Sequence, residues 1–294
     1  MTQSDKNKGH VAGIVFALAS AVTYGAVSTL GKLALSNSSP VYISATAYVI
    51  GAAILFTFKP KERPQRSLLL LILITGILGA GIAPYLFFRG LDMTSAADAA
   101  LLSNGEALFT TVLALLFFKE RLNGLQAVAA VIVFTGLIAV TTNLDVRAVH
   151  FFESIEGNIT VLLATLVWGI DNNLSRIVGQ RMNPTVFTRY KNIIGSAFLL
   201  SILLASNQKI VPSQDSILYI ILIGVFAVGL STAFLMNALS RLGAIRAVML
   251  FSTASIFGLL FAVIVLKEEV TYVQAAGAIT MFTGLYLLNR RHAG

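Results

Sequence analysis

The chain holds no cysteine, so disulfides and thiolate chemistry are excluded. Its three histidines, His10, His150 and His292, all lie in termini or loops, which argues against a histidine metal site inside a membrane. Charge is also scarce. Asp, Glu, Lys and Arg make up 12% of the residues, against about 25% in a soluble domain. So few charges cannot cover a water-facing surface, and an integral membrane protein is expected. The glycine-rich stretch GILGAGIAP lacks the Lys-Ser/Thr of a phosphate loop, so ATP does not drive any process within this chain. No cofactor is expected. The net charge of +8 does not call for nucleic acid, because the basic residues sit in short loops where the positive-inside bias accounts for them.

What the chain does have is length and apolar runs. It is 56% hydrophobic, with a mean hydropathy of +0.83. A helical span needs about 20 mostly apolar residues. Ten runs qualify, at about 11–34, 40–58, 67–90, 96–118, 123–141, 157–180, 184–206, 215–240, 245–266 and 271–288. They do not alternate as barrel strands would, so they read as helices. The polar leader MTQSDKNKGH is short, and the first run is too long for a signal-peptide core, so it is expected to stay as the first span.

One stretch occurs twice. Residues 119–137 read KERLNGLQAVAAVIVFTGL, and 148 residues later the chain reads KEEVTYVQAAGAITMFTGL. Nine of nineteen positions match, Lys119-Glu120 with Lys267-Glu268 among them. Upstream, at an offset of 144, Tyr24-Gly25 falls on Trp168-Gly169, Lys32 on Arg176 and Gly51 on Gly195. The change of offset implies a small insertion between Leu199 and Gly224. Two copies of one unit result, residues 1–145 and 150–294.

Lysine and arginine give the orientation. With the N-terminus inside, fourteen of them face the cytoplasm, or sixteen with Arg189 and Lys191, against five outside. Both termini are then cytoplasmic. Five spans per copy force the second copy to enter the membrane from the other side. The expected fold is an all-α membrane protein of ten transmembrane helices arranged as two inverted five-helix repeats. Secondary transporters are built this way, with a substrate site near the midplane between the repeats.

Two five-span repeats, each with Lys-Glu after its fourth span and Thr-Gly-Leu at the end of its fifth, resemble the drug/metabolite transporter superfamily of the EamA type. Within it the chain looks most like the YddG-type exporters of aromatic and other amino acids. The resemblance implies a multi-pass carrier of a bacterial inner membrane with a small-molecule substrate, here taken as a monomer in the lipid bilayer. Many members carry a proline midway along spans four and nine. Here those positions hold Ala107 and Ser255, which removes proline as a cause for breaking either helix.

An ionisable group inside a span costs about 2.5–3.5 kcal/mol on insertion scales and needs a reason. Glu106 is the clearest case, in the polar patch Ser103-Asn104-Gly105-Glu106. It is either a site for a substrate amine or a proton, or a structural acid bonded to a neighbouring helix. In span six, Trp168, Asp171, Asn172 and Ser175 share one helical face. Tyr24 leads a matching face with Ser28 and Lys32. These faces either line a central cavity or pack with small polar residues as glue. Lys191 is placed to meet a substrate carboxylate or to pair with Asp171. Tyr85 follows Pro84, which can kink span three, and Asn237 adds a polar contact in span eight. The Lys-Glu pairs lie at helix ends and read as caps or anchors. Export of amino acids is the leading function, with efflux of drugs or other metabolites as an alternative. An intramembrane enzyme using Glu106 and Asp171 would need both within reach of one substrate, and no channel filter is visible.

Overall fold

In the computed structural model, residues 3–58, 63–118, 124–142, 151–205, 214–242, 247 and 250–289 are described. Lys119, Glu120, Arg121, Lys209 and Arg246 lie outside them, as do His150, His292 and the basic residues at 59, 61, 147, 290 and 291. Ten helical segments follow one another, with no strand among the described residues. They are α1 (Gln3–Leu35), α2 (Pro40–Thr57), α3 (Leu69–Ile77) continued by α4 (Ala83–Met93), α5 (Ala96–Leu102) with α6 (Gly105–Phe118), and α7 (Gly124–Thr142). After them come α8 (Phe151–Gly179), α9 (Pro184–Ala205), α10 (Gln214–Leu222) with α11 (Ser231–Leu242), α12 (Ala254–Phe261) and α13 (Tyr272–Asn289). Four stretches are long and apolar enough to cross a membrane: Gly9–Leu35, Pro40–Thr57, Arg66–Met93 and Gln214–Leu239. Large apolar side chains face outward, Leu116 at 70% and Phe117 at 73% exposure, as a lipid-facing surface would require. The main core lies between the helices, around Phe87, Phe88, Leu91, Leu101 and Leu102.

Local chemistry sets the helix ends. Ser39 caps α2 with Pro40 in its first turn, where the missing N–H costs nothing. Ser95 caps α5 by accepting from Asp98 N at 2.9 Å. Thr271 and Gln274 form a reciprocal capping box at the start of α13. Glu268 reaches across to α5, and its two carboxylate oxygens accept from Ala96 N and Ala97 N, both at 2.9 Å. That satisfies two orphan donors and places negative charge at a helix N-terminus. Its repeat counterpart Glu120 is outside the described residues.

Several spans are interrupted. A π segment, Leu78–Ile82, separates α3 from α4, and another, Ile223–Leu230, separates α10 from α11. The fourth span breaks at Ser103-Asn104 and the ninth at Ser252-Thr253, without proline at either place. Both breaks close with tight turns: Asn104 N donates to Leu101 O at 3.1 Å, and Thr253 N to Leu250 O at 3.2 Å. Ser255 Oγ donates to Asn104 Oδ1 at 3.0 Å and ties the two breaks together. Proline is thus dispensable here, because side chains at the break take up the polar groups it frees.

Contacts recur with the halves exchanged. A Cβ on Gly25 would lie 2.8 Å from Phe257 Cβ, and one on Gly169 would lie 2.9 Å from Phe109 Cβ. A Cβ on Gly224 would meet Ile50 and Ala47 O, and one on Gly76 would meet Ile194 and Lys191 O. Each contact joins residues whose counterparts, 144 or 148 positions away, make the other. The close backbone approach explains why glycine stands at all four places.

Candidate functional site

A cavity of about 420 Å³ opens where α1, the break between α5 and α6, α8, α11 and the start of α12 meet. It lies within the about 300–1,000 Å³ usual for small-molecule sites. Of the residues singled out in the sequence, Tyr24, Ser28, Ser103, Asn104, Glu106 and Asn172 line it together. Glu106 is the only charged side chain among the described residues that line it. Asn172 Nδ2 donates to Glu106 Oε1 at 2.7 Å and to Thr110 Oγ1 at 3.2 Å. The next residue, Asn173, donates to Thr110 O at 3.0 Å and to Gly169 O at 2.9 Å, locking α8 to α6. The carboxylate is therefore positioned rather than loose. Tyr24 packs its ring on Phe251, centroid to centroid 5.2 Å, and both border the cavity. An anionic group beside aromatic faces suits an organic ammonium, which is attracted by charge and by the ring quadrupoles.

The remaining candidates lie elsewhere. Trp168 borders a separate space of about 20 Å³, with Tyr24, Tyr48 and Phe87. Its Nε1 donates to Gly79 O at 3.0 Å, inside the first π segment. In π geometry Gly79 O would accept from residue 84, but Pro84 has no N–H. Trp168 takes up the carbonyl that the proline leaves free. The second π segment has Thr232 in the place of Pro84, which explains why the counterpart Tyr24 has no such duty. Trp168→Phe keeps the packing on Phe87 but strands Gly79 O, and is expected to cost about 1–3 kcal/mol of stability. Thermal denaturation in detergent measures this; an unchanged midpoint would show that water serves the carbonyl equally well.

Asp171 turns away from the cavity and forms an ion pair with Lys191, their side chains 1% and 16% exposed. Ser175 Oγ donates to Asp171 Oδ1 at 3.1 Å. A Cβ on Gly79 would strike the Asp171 carboxylate, so only glycine leaves room for the pair. Lys191, expected either to meet a substrate carboxylate or to pair with Asp171, is paired with Asp171 in this structure. Tyr85 is 37% exposed, and Asn237 donates to Ala233 O on its own helix at 2.9 Å. Neither lines the cavity. Sequence reasoning missed Phe251, Ser252, Ser255 and Thr110. Repeat alignment could have found Phe251 and Ser252 as counterparts of Ser103 and Asn104. Thr110 lies one turn from Glu106 on the same face. Among the described residues no group of three or more His, Asp or Glu side chains is placed to hold a metal ion.

The sequence model of the EamA-like transporter family matches residues 11–142 and again residues 155–290. The chain is 28% identical to an uncharacterised transporter of Methanothermobacter thermautotrophicus, over 94% of its own length and 85% of the relative's. It is 24% identical to the uncharacterised transporter YcxC of Bacillus subtilis over 97% and 94%, and 22% identical to an uncharacterised transporter of Clostridium kluyveri over 92% and 91%. A solved crystal structure superposes with a TM-score of 0.67, at 14% identity, over 95% of this chain and 96% of the other. At that identity the likeness speaks for the fold alone.

Proposed function

The chain belongs to the EamA-like transporter family, and from that premise we propose that it exports small amine-bearing solutes by alternating access. It is a multi-pass membrane transporter, not an enzyme. Amino acids with aromatic or other apolar side chains are the leading substrates. The observation that carries this is Glu106, an oriented carboxylate beside aromatic rings in a cavity with no cationic side chain among its described lining residues. An ammonium group neutralises it at little cost, whereas a solute carrying only negative charge would be repelled. The same lone carboxylate also favours a second reading, efflux of lipophilic amines and cationic drugs.

In this proposal the two halves, residues 1–145 and 150–294, are inverted repeats that rock about the cavity. The exchanged glycine contacts and the double match of the family model support it. The lysine and arginine distribution supports a bacterial inner membrane with both termini cytoplasmic. A cytoplasmic reporter fused at Gly294 and a periplasmic reporter inserted at His150 are both expected to be active; the opposite pattern would overturn the orientation. Counterflow into proteoliposomes tests the function itself. Internal phenylalanine should drive uptake of labelled phenylalanine, and a pore would give none.

A further inference from the structure

The repeat places Asn172 on Ser28, Glu106 on Ala254 and Thr110 on Gly258. In one half of the cavity, then, an amide is held by a carboxylate and a hydroxyl. In the other half both holders are cut back, to a methyl group and to nothing. The residue they would have held is left over. Ser28 lines the cavity, is 1% exposed, and its Oγ has no hydrogen-bond partner among the described residues. A hydroxyl buried this way costs free energy unless something fills its place.

A second feature converges there. Helix α12 begins at Ala254, which also lines the cavity. Its N-cap residue Thr253 makes no side-chain cap; the hydroxyl turns back to Leu250 O at 2.6 Å. Its first turn carries no acidic residue. The corresponding first turn of α6 carries Glu106. Ile256 N donates to Thr253 O at 3.0 Å, but no side chain caps this turn, and the positive end of a helix dipole favours an anion there. Space for one exists beside it: a Cβ on Gly258 would stand 3.4 Å from Ser28 Oγ, where the first half has the side chain of Thr110.

We propose that Ser28 and the N-terminus of α12 form a carboxylate subsite, in which the substrate's own carboxylate fills the place that mirrors Glu106. The proposal rests on the amine reading of Glu106 and adds the second pole. Together the two poles select α-amino acids over simple amines, and the Tyr24 and Phe251 rings border the space left for the side chain. Lys191, engaged with Asp171, is not needed for the carboxylate.

The test uses the purified full chain and three probes: phenylalanine, 2-phenylethylamine, which lacks the carboxylate, and 3-phenylpropionate, which lacks the amine. Binding is followed by calorimetry. Wild-type protein should prefer phenylalanine to phenylethylamine by about tenfold or more, the size of one charge-assisted hydrogen bond. Ser28→Ala should reduce that preference about tenfold. Ala254→Glu, which installs the missing carboxylate, should reduce it further, and a thermal melt confirms that each variant is folded. An undiminished preference in both folded variants, or no preference in the wild type, overturns the subsite while the amine reading stands. Loss of affinity for both amines in Glu106→Gln supports the amine pole on which the subsite rests. Equal affinity of wild type and Glu106→Gln for phenylethylamine overturns that pole instead. If wild-type protein binds none of the three probes, both readings fall.

Discussion

Glu106→Gln is expected to leave the protein folded and to lower transport of amine-bearing solutes by about tenfold to a hundredfold. The amide keeps an oxygen for Asn172 Nδ2, which now donates to Glu106 Oε1 at 2.7 Å, so the contact between α6 and α8 survives. What disappears is the negative charge. A hydrogen bond to a charged group contributes about 1.5–3 kcal/mol, and the substrate's ammonium would lose it while still surrendering its hydration. Counterflow in proteoliposomes, normalised to folded protein, reads the loss. Normal counterflow by a stable variant would make Glu106 a structural acid and would move the amine site elsewhere.

Asp171→Val should destabilise the protein by about 3–5 kcal/mol, because it leaves the Lys191 ammonium in a low-dielectric interior without its partner. Lys191→Met should do the same from the other side, stranding a carboxylate that is 1% exposed. The double variant is expected to recover most of the loss, since well-packed apolar groups can replace a buried ion pair. The first half of the chain already shows the apolar solution: Val27 and Ala47 stand where the second half has Asp171 and Lys191. Thermal melts of the three variants form a double-mutant cycle. Retained counterflow in the double variant would assign the pair to stability. A double variant as unstable as either single one would refute the pairing argument.

Much of the architecture was readable from residues alone. The scarcity of charge and the apolar runs imposed helices, because backbone groups in lipid must bond within their own segment. Among the described residues, all ten expected segments coincide with helices, although the first begins at Gln3 rather than near residue 11. The recurrence of Lys-Glu and of spaced glycines exposed the internal repeat, and the exchanged glycine contacts follow from it. Glu106 stood out because an acid inside an apolar run is costly, and Tyr24, Ser28 and Asn172 followed by helical spacing.

Spacing could not say which face of α8 meets which neighbour. Trp168, Asp171 and Asn172 lie on one broad face, yet only Asn172 reaches the cavity. Trp168 is claimed by a carbonyl that Pro84 frees, and Asp171 by a lysine twenty residues away. A helix in a bundle is surrounded by several partners, and a face about one residue wide decides between them. Both breaks escaped a proline-based reading because turns and side chains at Ser103, Asn104 and Ser255 do the work of the missing ring. Sequence by itself determined the class and singled out the acid inside an apolar run, since both follow from local cost in lipid. The cavity, the ion pair and the unpaired Ser28 hydroxyl were decided only by tertiary packing, because each depends on which residues of the other half arrive beside it.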